Sequence, residues 1–171
     1  RITSADADTV LKSKDNAVIG LKYENMLFGN YWHGGKAIVN RPGEADTTLV
    51  YPTTIPMVES KVWKLTTKGP NFLAANGYLD QTTAKDEMIL TLDGSKITIT
   101  SSPGSSFTVL QNGECSFNKA KLLQNRKIFL KYKYVNNSNG FTYHATDTLT
   151  FRNRIRDGIN EWQDENPNNY K

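Results

Sequence analysis

Side chains able to do acid–base, nucleophilic or metal chemistry are few and scattered in this chain. It holds two histidines and one cysteine. His33 lies in Tyr31-Trp32-His33-Gly34-Gly35 and His144 in Phe141-Thr142-Tyr143-His144-Ala145. Neither has a second histidine or a cysteine at zinc-ligand spacing, so each is expected as a strand-surface or hydrogen-bonded residue. Cys115 has no thiol partner and is expected as a small buried apolar group rather than a nucleophile. No Gly-x-Ser-x-Gly elbow, phosphate-cradling glycine loop or His-Glu-x-x-His occurs. A glycosidase pair could be drawn from Asp80, Asp86, Glu87, Asp147, Asp157, Glu161, Asp164 and Glu165, because such pairs come from separate strands. Most of these lie in polar turns or the tail, where a solvated charge is the ordinary outcome. The expectation is a protein that is not an enzyme, with no metal and no cofactor.

Aromatic residues form the more informative class. A flat ring on a β-surface can stack on the apolar face of a sugar while the hydroxyls stay free to hydrogen-bond. Tyr31, Trp32, Tyr51, Trp63, Phe72, Tyr78 and Trp162 are spread along the chain, several beside turn residues. Trp63 is expected in the core, and Trp32 is read as core as well. Tyr51, before Pro52, and Tyr78, after Gly77, sit at loop edges and are expected to be exposed. Trp32, Tyr51 and Tyr78 are the three candidate ligand-binding residues.

The composition suits a folded domain. Hydrophobic residues make up 37% of the 171 residues and aromatics 11%, and a chain of this length buries roughly 70% of its unfolded surface without needing a disulfide. No apolar run approaches the ~18 residues that would cross a bilayer as a helix. The net charge is +4, a weak pointer to acidic partners. Lys119, Lys121, Arg126, Lys127, Lys131 and Lys133 cluster loosely, with Lys131 and Lys133 on one face of a strand, as a solvated face would be; the alternative is a surface for nucleic acid or an acidic glycan. No nucleic-acid-binding signature accompanies them, and nucleic acid is not an expected partner.

The elements that must position these residues are strands. Met88, Leu90 and Leu92 alternate onto one face, Asp93-Gly94-Ser95 turns the chain, and Ile97 and Ile99 continue the pattern, which predicts a tight hairpin. A second hairpin is predicted from Ile128–Val135, the turn formers Asn136–Gly140, and a long return strand over Phe141–Phe151. Asp147 is expected to bulge or bend that strand. Gly29–Val39, Thr47–Tyr51, Val62–Thr67 and Phe107–Gln111 complete a set of about eight. The fold class is therefore all-β, an antiparallel meander forming a barrel or a sandwich. Ile155, Ile159 and Trp162 fall at helical spacing and predict a short C-terminal helix, against which Gly158 counts. Residues 1–20 read as a linker and the remnant of a preceding domain, 21–163 as the β-domain, and 164–171 as a polar tail.

Two stretches taken together, Gly29–Gly35 and Asp147–Trp162, resemble the C-terminal uncharacterised domain of two-domain surface lipoproteins from Bacteroidetes. The resemblance spans nearly the whole chain. It implies an N-terminal Ig-like domain of the same protein as partner, with Arg1-Ile2-Thr3-Ser4-Ala5-Asp6 as that domain's last strand and exit. It also implies export to the outer-membrane surface or periplasm and membrane attachment only through a lipid anchor outside this chain; glycan is the expected ligand because many such lipoproteins are encoded beside outer-membrane glycan-uptake systems. The family brings no catalytic residues to carry over. Gly29-x-x-Trp32 on a first strand is also similar to the Gly-x-Trp of lipocalins. It is one residue longer, which turns the tryptophan to the opposite face. That resemblance implies a barrel carrying a small apolar ligand. A structural or protein-docking domain is the third expectation.

Overall fold

The computed structural model describes residues 19–51, 61–79 and 85–163. Residues 1–18 and the tail 164–171, on which most of the linker and all of the tail expectation fall, lie outside the described residues. Eleven strands run through the described residues: β1 (Gly29–Asn40), β2 (Thr47–Tyr51), β3 (Lys61–Gly69), β4 (Phe72–Ala75), β5 (Met88–Asp93), β6 (Lys96–Ser101), β7 (Phe107–Asn112), β8 (Ser116–Phe117), β9 (Lys127–Asn136), β10 (Thr142–Arg156) and β11 (Ile159–Glu161). All eight expected strands are among them. There is no α-helix among the described residues, only a 3-10 turn at Leu123–Asn125.

Two-residue alternation decides which side chains face inward. In β1 the odd positions Tyr31, His33, Ala37 and Val39 are buried, and in β10 so are Ala145, Asp147, Leu149 and Phe151. In β9 the even positions Ile128, Leu130, Tyr132 and Tyr134 are buried, while Lys127, Phe129 and Lys131 face out. Trp63 and Leu65 of β3, Met88 and Leu90 of β5, and Ile97 and Ile99 of β6 complete one shared interior.

The sheet is antiparallel, and its hydrogen bonding closes on itself. The ladder runs β10-β1-β3-β4-β5-β6-β8-β9 and returns through β9 to β10. β1 is shared along its length: Gly29–His33 pair with β3, and Gly35–Val39 pair with β2 on the same edge. The thinnest seam lies between β6 and the β7–β8 segment. There the strand pairing is the single pair Lys96↔Ser116, and side chains do part of the bridging. The Asn112 amide accepts from Ile99 N–H at 2.7 Å and donates to Ile99 C=O at 2.9 Å, in place of a backbone neighbour. On the β9 side, Lys131 N–H lies 3.2 Å from Cys115 Sγ, and the thiol reaches Lys131 C=O at 3.2 Å, across the gap between β7 and β8.

One end of the closed sheet is capped. Asn25 accepts from Leu27 N–H at 2.9 Å and donates to Pro70 C=O at 2.8 Å, which seats Leu27 in the core beneath the Tyr31 hydroxyl. The buried Arg126 guanidinium closes the same end by donating to Met26 C=O.

Three expectations are corrected here. The C-terminal segment is a hairpin, not a helix: β10 continues to Arg156, reverses through Asp157 (φ 51°) and Gly158 (φ 82°), and pairs Arg156 with Ile159. Positive φ at both central residues is what a two-residue type I′ turn requires, and Asp-Gly meets that need more cheaply than a helix carries a central glycine. Asp147 does not bulge its strand, since the β1–β10 register runs unbroken from Tyr31↔Phe151 through Gly35↔Asp147 to Asn40↔Thr142. The β5–β6 turn is Gly94-Ser95 rather than a three-residue loop, with Asp93↔Lys96 as the closing pair.

Candidate functional site

The interior holds a polar cluster at mid-height. His33 from β1 and Asp147 from β10 both face inward, and both side chains are 0% exposed. His33 Nε2 lies 3.2 Å from Asp147 Oδ1, but neither atom makes a hydrogen bond, and His33 Nδ1 has no partner among the described residues. The Tyr132 hydroxyl donates to Asp147 Oδ2 at 2.9 Å. The His33 ring lies flat on the Trp63 indole, with centroids 4.4 Å apart, and Tyr51 tilts over it at 5.3 Å.

Gly35 makes this cluster fit. It takes an inward position on β1 opposite Asp147 at φ 145°, and a Cβ there would meet Thr146 C=O at 2.2 Å and Asp147 Oδ1 at 3.0 Å. The missing side chain leaves the space into which the Asp147 carboxylate folds. His33 is thus not a surface histidine, and sequence reasoning missed the cluster. The signal was available: strand parity alone puts His33 and Asp147 on the face shared with Tyr31, Ala145 and Leu149.

A histidine beside a carboxylate is part of an acid–base site, yet these two are sealed under Trp63 and Tyr51 and touch no surface. Burial pushes the Tyr132 hydroxyl well above its ordinary value, and the neighbouring Asp147 charge adds to the shift. Burial also raises Tyr31 and Tyr78. A phenol whose ionisation is raised by folding stays neutral in the native state after the unfolded chain has begun to ionise. Above the ordinary tyrosine value near pH 10, the unfolded state therefore binds fewer protons and stability falls as pH rises. The unfolding free energy from denaturant titration is expected to fall between pH 10 and 11, by up to about 1.4 kcal/mol per pH unit for each such tyrosine. Tyr132→Phe should lessen that slope, and equal slopes in the two proteins would contradict the assignment.

An accessible feature lies at the end of the sheet away from the Asn25 cap. A hollow of about 340 Å³ is lined by Leu49, Val50, Tyr51, Tyr78, Leu79, Phe107, Tyr134 and Tyr143. Its rings brace one another. Tyr134 stacks on Tyr143 at 4.7 Å with planes 4° apart, and on Tyr132 at 5.7 Å. Phe107 and Tyr78 close the far wall at 4.8 Å from each other. Tyr132 is in turn tied to Asp147, so the polar cluster supports the floor of the hollow.

The structure brings two of the three candidate residues together here, Tyr51 and Tyr78. Tyr51 is half-buried and borders the opening. Tyr78 is not the exposed loop-edge ring expected: it is 1% exposed, and its hydroxyl donates to Ser101 Oγ at 2.9 Å. The chain turns inward at Tyr78 because the ring fills space between Phe107 and Tyr134. Trp32 lies elsewhere and is not core. It stands half-buried on the outer face of β1 with the Arg152 guanidinium 4.7 Å above its ring. Trp63 is core, as expected, and its indole N–H donates to Leu79 C=O at 2.9 Å. Tyr143 and Tyr134, which complete the hollow, were read only as strand residues. Cys115 is buried and its thiol is pushed up by burial. No group of three or more His, Cys, Asp or Glu side chains suited to a metal occurs among the described residues.

No protein-family model matches this chain, and no curated protein matches it. A crystal structure of a structural-genomics protein of unknown function from Bacteroides ovatus is similar in fold, with a TM-score of 0.63 and 15% sequence identity over 82% of this chain. The chain spans 46% of that protein's length. At this identity the likeness speaks to the fold alone.

Proposed function

We propose that this chain is a non-catalytic, saccharide-binding module of an exported, lipid-anchored surface protein, with the tyrosine-lined hollow as its binding site. The observation that carries the proposal is the convergence of Tyr51, Tyr78, Tyr134 and Tyr143 with Phe107 around one opening of about 340 Å³. Small-ligand sites run from about 300 to 1,000 Å³ and combine apolar walls with a few polar groups, and tyrosine supplies both from one side chain. Mutual stacking holds the rings before any ligand arrives, which lowers the entropy lost on binding. Export and anchoring rest on the lipoprotein resemblance of Gly29–Gly35 and Asp147–Trp162.

The lipocalin-like reading asks for a hollow interior. The described interior is filled instead by Trp63, Tyr31, Leu65, Leu90, Ile99, Ile128 and the His33–Asp147–Tyr132 cluster, which favours a site at the mouth. Calorimetric screening of plant and host oligosaccharides should find a neutral glycan whose affinity falls at least 10-fold in Tyr51→Ala and Tyr143→Ala. Both residues are only partly buried, so these variants are expected to fold. Absence of binding to any glycan, or a hit unaffected by both substitutions, would contradict the proposal.

A further inference from the structure

The outer face of the same β9–β10 ladder carries a second concavity. A groove of about 370 Å³ is lined by Lys36, Ile38, Gln111, Gly113, Lys131, Tyr132, Lys133, His144, Ala145 and Thr146. Pairing registers place its outward side chains in two rows across four neighbouring strands. The first row runs Lys36, Thr146, Lys131 and ends at Gly113, whose N–H donates to Lys131 C=O at 2.7 Å. The second runs Ile38, His144, Lys133, Gln111. With strands ~4.8 Å apart, the lysines of the first row stand about 10 Å from each other across Thr146, and Lys133 lies one row along from Lys131.

Three features separate this face from an ordinary solvated one. No carboxylate lines the groove, and among the described residues none of the three lysines has an ion-pair partner. Like charges gathered on one face of a sheet are unfavourable, and that cost is relieved when an anion bridges them. Gly113 keeps the groove open: a Cβ at this position would press on Lys131 Cγ and Cδ at 3.1 and 3.2 Å. The Lys131 stem therefore lies across the place where a side chain of the neighbouring segment would stand. Ile38 and the lysine methylenes add apolar surface between the ammonium groups, so the groove offers a dry patch as well as charge.

We infer that this groove binds an anionic saccharide, a sugar bearing carboxylate or sulfate groups, at a site distinct from the tyrosine hollow. The ring would rest on Ile38 and the lysine stems. Its acidic substituents would meet the ammonium groups of Lys36, Lys131 and Lys133, and Gln111, Thr146 and His144 would hydrogen-bond hydroxyls. Nucleic acid fits less well. Single strands are held by stacking successive bases on several exposed rings, whereas in this lining the Tyr132 ring is inside the core and the His144 imidazole is the single exposed ring.

The test is an NMR titration of the protein at low salt with a galacturonate trisaccharide and a sulfated disaccharide. Neutral galactose oligomers, inorganic phosphate and a single-stranded oligonucleotide serve as comparisons. The expected result is saturable shifts at Lys36, Lys131, Lys133 and His144 with at least one acidic sugar, and none there with the neutral sugar. Affinity should fall at least 10-fold in the double variant Lys131→Ala, Lys133→Ala and weaken as salt rises. Tyr51→Ala should leave it unchanged, so failure here and failure at the tyrosine hollow are read separately. The inference is overturned if neither acidic sugar shifts these residues, if phosphate alone binds as tightly as the sugars, or if the oligonucleotide binds more tightly.

Discussion

Asp147→Ala is expected to destabilise the fold by about 3 kcal/mol or more, from a buried hydroxyl left without its partner and the space left behind in the core. The substitution leaves the Tyr132 hydroxyl without its 2.9 Å acceptor and vacates the space facing Gly35. It also takes away the carboxylate oxygen 3.2 Å from His33 Nε2, at a position where both ring nitrogens already lack hydrogen bonds. Against a total stability of about 5–15 kcal/mol for a domain, that loss brings the chain near the unfolding threshold. Asp147→Asn keeps the volume and can still accept from Tyr132, so it should cost less. Denaturant midpoints of the two variants check the order, and equal losses would mean that filling the space matters more than the polar contact. The consequence reaches the hollow, since Tyr132 stacks on Tyr134. An Asp147→Asn protein that folds should lose some glycan affinity without any change to a residue lining the opening.

Gly35→Ala is the second large effect. The new methyl would fall 2.2 Å from Thr146 C=O and 2.8 Å from Asp147 Cα, both backbone atoms that cannot swing aside. The φ of 145° is itself one that side-chain-bearing residues rarely adopt. Overpacking of this kind costs about 1–3 kcal/mol or more, and backbone strain adds about 1–3 kcal/mol. The expected outcome is a loss of about 3 kcal/mol or more in a denaturant titration. Gly43→Ala makes a useful contrast: it also has positive φ (80°), but nothing lies within 4 Å of its Cβ position. It should show the strain alone. If the two variants lost equal stability, the close approach of β1 to β10 would not be what demands glycine at position 35.

Most of the fold was legible because it rests on local alternation. All eight expected strands are present, and Met88, Leu90, Ile97 and Ile99 face inward as their spacing demands. What escaped lacks that local signal. β8 is two residues long and is defined by partners on β6 and β9. β4, Phe72–Ala75, carries two alanines and is a strand because it lies between β3 and β5. The C-terminal hairpin is different, since its signal was present. Asp157-Gly158 is the same hairpin marker as Asp93-Gly94, but Ile155, Ile159 and Trp162 at helical spacing compete with it. All three are exposed, so their periodicity reflects no buried face.

The site was legible only in part, for a related reason. Neighbouring residue types nominated Tyr51 and Tyr78, but whether a ring lines an opening or fills a core depends on strands far away in sequence. Tyr78 is buried by Phe107 and Tyr134, and nothing within several residues of Tyr78 announces them. Tyr134 and Tyr143 are opposite one another on β9 and β10; the second predicted hairpin held both strands, but its turn over Asn136–Gly140 would set Tyr134 against Thr142. The buried cluster needed one further step. Once Asp147 is kept in strand register, it must face the core, and a buried carboxylate requires polar partners. Tyr132, on the adjacent inward-facing strand, supplies one.

The most direct test of the saccharide-binding account is a crystal structure of the protein with the best neutral glycan from the calorimetric screen. The account predicts a sugar ring seated in the hollow, its apolar face within about 4 Å of the Tyr51 or Tyr143 ring and its hydroxyls bonded to neighbouring polar groups. A glycan bound on the outer face of the sheet, with the tyrosine-lined opening untouched, would contradict it.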